Sequence, residues 1–289
     1  MMRRIVIIGT GLIGASAGLA LRRAGFTGRI TGVDKSAEEG AEAQRMGAVD
    51  YACPSDYEAM LACLEADVIL LAVPVLAIMD WMRRLSPTLS PQQLVTDVGS
   101  TKLEIAELAL ELFGDEHQAR FLPGHPMAGK ERGGAALADA ALFDGAMWLF
   151  TPRTPEPAER ERVWRGWVTK MGAATRDLHP VRHDQVCAWV SHLPQMVATA
   201  LSALLEEELM QTPALAADVQ AIGGRALDEM TRLGASPYSM WRDVAMTNTK
   251  PLAATLFALE QRLAHLRENL KTPELRDEFG RANEFRKLT

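Results

Sequence analysis

Short apolar runs alternate with amphipathic stretches through the first 178 residues. Runs rich in Ile, Val and Leu at 4–9 (RIVIIG), 29–34 (RITGVD), 67–73 (DVILLAV), 94–98 (LVTDV), 120–124 (RFLPG) and 147–151 (MWLFT) predict strands. Between most of them lie helical patterns, SAEEGAEAQRMG, YEAMLACLEA and KLEIAELALELFG, the last with apolar residues at helical spacing. Strand and helix in alternation predict an α/β domain over 1–178, built on a doubly wound, mostly parallel sheet. From 179 to 289 the pattern changes to helices, broken near Thr212-Pro213, Gly223-Gly224, Ser236-Pro237 and Lys250-Pro251, which predicts an all-α second domain. The polar end, RDEFGRANEFRKLT, reads as a surface tail.

Composition narrows the class. A chain of 289 residues with 48% hydrophobic side chains can fill the cores of two domains. Its 31 basic and 37 acidic residues give a net charge of −6 without a Lys/Arg cluster, which argues against a nucleic-acid partner. An anionic small substrate would therefore need local positive charge. Cys53, Cys63 and Cys187 are odd in number and lack CxxC spacing, which fits a reducing, cytoplasmic setting.

Two stretches imitate membrane signals. The opening MMRRIVIIGTGLIGASAGLA has the basic, apolar and small-residue parts of an export signal, but Gly9, Gly11, Gly14 and Gly18 interrupt it. Arg22 and Arg23 follow directly, and strand, turn and helix suit the stretch better. Residues 186–205 are uncharged over twenty positions, long enough to span a bilayer. His192, Pro194 and Gln195 at its centre would be costly against lipid, so a helix in a protein core or subunit interface is expected, with no membrane partner.

The stretch after the first strand carries the first chemistry. Gly9, Gly11 and Gly14 form G-x-G-x-x-G at a strand-to-helix turn, the Rossmann-type arrangement for a dinucleotide. Gly9 permits the tight turn, Gly11 lets backbone approach a pyrophosphate, and Gly14 lets helix and strand pack. Leu12 and Ile13 open the helix, whose free amides favour an anion. The next strand ends in Asp34, placed to bind the ribose hydroxyls of NAD; a plain surface acid is the other reading, and Lys35 keeps NADP possible. AVP at 72–74 ends a buried strand, leaving Val73 and Pro74 beside the cofactor.

FLPGHPMAGKERGG raises the second question, because Gly124 and Pro126 bracket His125 in what reads as a turn. It is either a loop histidine packed for shape or a base aimed by the backbone. With DVGSTK (97–102), GHPMAGKE (124–131), SHLPQ (191–195) and TRLGASPYSMWRD (231–243), the chain resembles the prephenate and arogenate dehydrogenase family of tyrosine biosynthesis. The resemblance covers nearly the whole chain. It implies NAD(P)-dependent oxidative decarboxylation of prephenate or arogenate, by a homodimer built on the C-terminal helical domain.

The resemblance assigns roles by motif. His125 matches the catalytic base, and Ser100 a serine near base and cofactor, although Ser100 could also cap the following helix. Arg232 matches the arginine that holds a substrate carboxylate, as a planar guanidinium can with two parallel hydrogen bonds. Trp241, in the matching MWRD, is expected to wall the substrate pocket, though by sequence alone a tryptophan is more often core. His192, two residues before the kink at Pro194, is either a second substrate contact or a satisfied buried histidine. Glu131 aligns with an acid at the substrate entrance, and Arg225 stands where relatives have glycine, near the substrate side chain. Lys130 and Gln195 depart from the family's usual residues. No metal is expected: His179 and His183 are four apart, but Pro180 disfavours helix at His179 and no third ligand is evident. A β-hydroxyacid dehydrogenase and a non-catalytic NAD sensor are the alternatives, and the former would need a lysine base in the helical part.

Overall fold

The computed structural model describes residues 2–114 and 120–287. The first half alternates as read: β1 (Arg4–Ile8), α1 (Leu12–Arg23), β2 (Arg29–Val33), α2 (Ala37–Arg45), β3 (Tyr51–Ala52), α3 (Asp56–Glu65), β4 (Val68–Leu71), α4 (Val75–Leu85), β5 (Leu94–Asp97), α5 (Leu103–Phe113) and β6 (Arg120–Leu122). These strands form one six-stranded sheet in the order β3-β2-β1-β4-β5-β6, and every pairing is parallel. Parallel strands covered on both faces must be apolar on both. Ile5, Ile7, Val68 and Leu70 pack into one core layer. Val6, Ile8, Ile69 and Leu71 pack into the other. Two-residue β3 has too little apolar sequence to be read as a strand.

The predicted strands at 120–124 and 147–151 need correcting. Pro123 has no N–H to offer a ladder, and the run splits there into β6 and β7 (Gly124–Pro126), which belong to different sheets. β7 pairs antiparallel with β8 (Met147–Phe150), and after α6 (Glu159–Lys170) β9 (Ala174–Asp177) pairs parallel with β8. The fully exposed ATRD of β9 carries no apolar alternation to read. This second sheet moves His125 from the expected turn into a strand, opposite Leu149.

The second half is all helical: α7 (Pro180–Cys187), α8 (Leu193–Gln211), α9 (Pro213–Ile222), α10 (Gly224–Thr231), α11 (Tyr238–Thr247), α12 (Thr249–Glu268) and α13 (Glu274–Arg286). α13 corrects the tail reading of the polar end, whose last two residues lie outside the described ones; none of its residues is buried. Pro194 disturbs the long apolar helix as expected. It cannot donate to Val190, and a π-turn at Ala188–His192 precedes it, with Leu193 N–H donating to Ala188 O. Among the described residues no helix is long and apolar enough to cross a membrane. Many large apolar side chains of this half stand exposed, including Trp189, Leu204, Ile222, Met246 and Phe257.

Candidate active site

The glycine turn is built as a close-packed cradle. Gly9 has φ +92°, and a Cβ there would fall 2.3 Å from Ala72 O. A Cβ on Gly14 would fall 1.9 Å from Gly9 O, whereas one on Gly11 would meet nothing within 4 Å. Gly9 and Gly14 are thus packing positions, and Gly11 opens on free space. α1 begins there without a side-chain cap or an acid in its first turn, which leaves its amides to an anion. Asp34 is pinned beside the turn: it accepts from Thr10 N–H (2.7 Å), Thr10 Oγ1 (3.2 Å) and Ser36 N–H (3.0 Å). These residues suit the pyrophosphate and ribose of a dinucleotide.

In front of the turn lies a cleft of about 640 Å³ between the two halves. Gly11, Leu12, Ile13, Val73, Pro74 and Ser100 line it beside the glycine turn. His125, Glu131, Arg232 and Trp241 line the same space. The imidazole and the guanidinium, 107 residues apart by their numbers, therefore face one space.

His125 is only 7% exposed. Its Nδ1 lies 2.9 Å from His183 Nε2, and His183 Nδ1 lies 2.7 Å from Asp184 Oδ1. Burial holds the His125 imidazole well below its usual 6.5, and neighbouring His183, Lys102 and His192 push the same way. Burial also lowers His183, partly offset by its hydrogen bond to Asp184. Asp184 in turn accepts Lys102 N–H (2.7 Å) and Leu103 N–H (2.9 Å), the first donors of α5. The cap of α5 thus comes from the second half of the chain, and Ser100, three residues ahead of Leu103, is not that cap.

The DVGSTK turn is fastened from inside. Asp97 Oδ2 accepts Gly99 N–H (2.8 Å) and Oδ1 accepts Gly124 N–H (3.0 Å), which ties the Ser100 turn to the His125 strand. Lys102 Nζ completes the arrangement by donating to Asp97 and to Thr101 O.

His192 is fully buried on the π-turn and does not reach the cleft lining, contrary to a direct wall position. Asn248 Nδ2 donates to its Nδ1 (3.1 Å) and to Asp184 O (2.9 Å). Trp241 stands edge-on to the ring at 5.9 Å. His192 Nε2 meets no partner at hydrogen-bond geometry, although the Ser100 backbone lies near enough to favour its protonated form. Burial dominates and lowers it to about 4.

Arg232 stands on a short turn. Gln195 donates to Leu233 O (2.7 Å) and accepts from Ser236 Oγ (3.1 Å), bracing the 3-10 turn Arg232–Ala235. Arg232 pairs with Glu131 across the cleft. Lys130 turns away to Leu137 O (2.8 Å). Arg225 is not brought in: it is exposed on α10, which has no buried residue, and it lies outside the cleft lining.

Sequence reading missed His183 in its actual role, and with it Asp184, Asn248, Asp97 and Lys102. His179 is the N-cap of α7, with Pro180 opening the helix, so the i, i+4 spacing of His179 and His183 does not make a helical pair. His183 instead groups with His125 and Cys187, whose ligand atoms lie within 4.8 Å of one another. The Cys187 thiol, pushed up to about 12 by burial, sits 3.6 Å from His183 Nε2. The signal for Asp184 was an acid next to a histidine ahead of an uncharged helix, which sequence alone does not separate from a surface acid.

Comparison with known proteins shows the family and the fold. The family model for the prephenate dehydrogenase nucleotide-binding domain matches residues 17–175, and that for the prephenate dehydrogenase dimerization domain matches 179–283. The chain is similar to the prephenate dehydrogenase of Lactococcus lactis, 32% identical over 268 residues, covering 92% of this chain and 70% of that one. It is 27% identical to the cyclohexadienyl dehydrogenase of Zymomonas mobilis, covering 89% and 84%. Among solved structures, prephenate dehydrogenase from Aquifex aeolicus in complex with hydroxyphenyl propionate and NAD+ superposes with a TM-score of 0.83 at 28% identity, covering 99% and 96%. Arogenate dehydrogenase from Synechocystis gives 0.77 at 30% identity, covering 98% and 99%.

Proposed function

The chain belongs to the prephenate dehydrogenase family, and from that premise we propose that it oxidatively decarboxylates prephenate to 4-hydroxyphenylpyruvate, or arogenate to tyrosine, with NAD. The observation that carries this reading is the single cleft that joins the glycine turn, a buried neutral imidazole and a guanidinium. Gly11 opens the floor for NAD over the close packing that Gly9 and Gly14 permit, Leu12 and Ile13 offer helix-start amides, and Val73 and Pro74 form a wall. Asp34 favours NAD over NADP because a carboxylate repels a ribose phosphate.

NAD held along Gly11, Leu12, Ile13, Val73 and Pro74 would supply the acceptor for the hydride that leaves the carbon bearing the ring hydroxyl. His125 accepts the hydroxyl proton as that hydride leaves. Its depressed basicity keeps the ring neutral near pH 7, so the acceptor is present without deprotonation first. Ser100 orients the hydroxyl from the cofactor side. The ring carboxylate then departs as carbon dioxide, and its electron pair makes the ring aromatic, so positioning supplies most of what is needed. Arg232 holds the remaining side-chain carboxylate, Trp241 bounds the ring, Glu131 stands at the entrance and His192 supports the substrate side from behind. Arg225 can act at this site only if assembly brings α10 to a cleft.

The same reading takes residues 1–178 as the cofactor domain and 179–289 as the domain of dimerisation. The exposed apolar side chains of the helical half support a homodimer through that half. We place the protein in the cytoplasm, where three unpaired cysteines stay reduced. Purified protein mixed with NAD and prephenate, or with arogenate, should produce NADH; no NADH with either substrate overturns the reading.

A further inference from the structure

One residue is linked to two histidines of the site, His125 and His192, by two routes, each through one intermediate side chain. The Asp184 side chain reaches His125 through His183, and the Asp184 backbone carbonyl reaches His192 through Asn248. We infer that Asp184 fixes the tautomers of both rings, holding His125 as a proton acceptor and His192 as a proton donor at Nε2. His183, Asp184 and Asn248 are thereby positioning residues of the reaction proposed above, and the kinetic part of the inference rests on that reading.

The first route follows from donor and acceptor counting. A backbone N–H can only donate, so the Lys102 and Leu103 amides make both Asp184 oxygens acceptors. The Asp184 carboxylate can take a further proton contact only as acceptor, so His183 carries its proton on Nδ1. A neutral imidazole has one N–H, and burial keeps this one neutral. His183 Nε2 is then a bare lone pair facing His125 Nδ1 at 2.9 Å. His125 must place its proton on Nδ1, which leaves Nε2 with the lone pair that accepts the hydroxyl proton.

The second route gives the opposite result. A carbonyl can only accept, so the Asn248 atom 2.9 Å from Asp184 O is its amide nitrogen. The other hydrogen of that nitrogen points to His192 Nδ1, which must be the acceptor. His192, neutral near pH 7, therefore carries its proton on Nε2, the buried atom with no partner. That N–H lies nearest the Ser100 backbone, which favours the protonated ring, and it stays outside the cleft lining. Two like side chains thus present opposite chemistry, because one is backed by an acceptor and the other by a donor. Where a carboxylate orients a catalytic imidazole in serine-protease triads, spoiling the tautomer costs about 10⁴ in turnover.

Ring nitrogen NMR on histidine-labelled full-length protein tests this directly, with His125→Asn and His192→Asn assigning the signals. The expected result is a proton on Nδ1 of His125 and on Nε2 of His192. His183→Leu should move the His125 proton to Nε2 and lower kcat by at least about 100-fold, with KM changed less than about threefold. His183→Gln, whose side-chain carbonyl can accept from Nδ1, should restore kcat to within about tenfold of the parent. A resting His125 protonated on Nε2 overturns the inference, as does equal loss in both variants with the His125 tautomer unmoved. If His183→Leu does not fold, the parent spectrum decides alone. A parent enzyme inactive on both substrates would defeat the proposed reaction, and the ring spectra would still decide this inference.

Discussion

Lys102 Nζ and Asp97 Oδ2 form an ion pair 2.5 Å long in which neither side chain is exposed to solvent. Removing one partner of such a pair leaves an uncompensated buried charge, a loss of about 3–5 kcal/mol. Lys102→Met should therefore lower the free energy of unfolding by that order, measured by chemical denaturation. Lys102→Met with Asp97→Asn should recover part of it, because the two sites share one interaction. A Lys102→Met protein as stable as the parent would show that the pair carries no such load. Since Asp97 also holds the Gly99 and Gly124 amides with its two oxygens, turnover should fall in the double variant even where stability recovers.

The proposed base makes a separate prediction. His125→Asn keeps a polar side chain at a buried position while removing the proton acceptor, so kcat should fall by about 10²–10⁴. NAD affinity, set at the glycine turn, should change little. Single-turnover kinetics and cofactor titration check the two halves, and a fully active variant would refute the assignment.

Much of this was legible beforehand because it follows from local rules. Strand and helix order came from apolar periodicity, and the glycine turn from three spaced glycines before an Asp at the next strand end. The cleft residues His125, Ser100, Glu131, Arg232 and Trp241 came from motifs that the family resemblance strings in order, and the structure gathers them around one space. What could not be read depends on contacts between distant segments. Asp184 caps α5 over a separation of 81–82 residues, and Pro123 hands the chain from one sheet to another. Arg225, expected near the substrate side chain, stands exposed in the single chain, a placement that no local pattern announces.

Arg232 sits 59% exposed in its ion pair with Glu131, free to exchange that partner for a substrate carboxylate. A hydrogen bond to a charged group is worth about 1.5–3 kcal/mol, which corresponds to a KM raised about 10- to 150-fold in Arg232→Gln. kcat should change much less, because the contact is made before and during the chemical step alike. Initial-rate kinetics with varied prephenate measure this; an unaltered KM would move the anchor elsewhere.

Three buried histidines at one site also set a pH dependence whose sign can be worked out. His125, His183 and His192 all titrate below their usual 6.5 in the folded chain, the last at about 4, chiefly through burial. Between the folded and the unfolded values the unfolded chain binds more protons, so stability rises with pH in that window. Stability should be fully present above about pH 6.5 and should decline on acidification, each histidine contributing up to about 1.4 kcal/mol per pH unit. Denaturation midpoints at about pH 7.5 and about pH 5.5 should differ accordingly in the parent and less in His192→Asn. Activity obeys the same chemistry: the acid limb of kcat/KM should have its midpoint below 6.5, because His125 stays a free acceptor until the folded ring protonates. A limb at or above 6.5 would mean that the base is solvated as an exposed imidazole is, and would contradict its burial at 7% exposure between two domains.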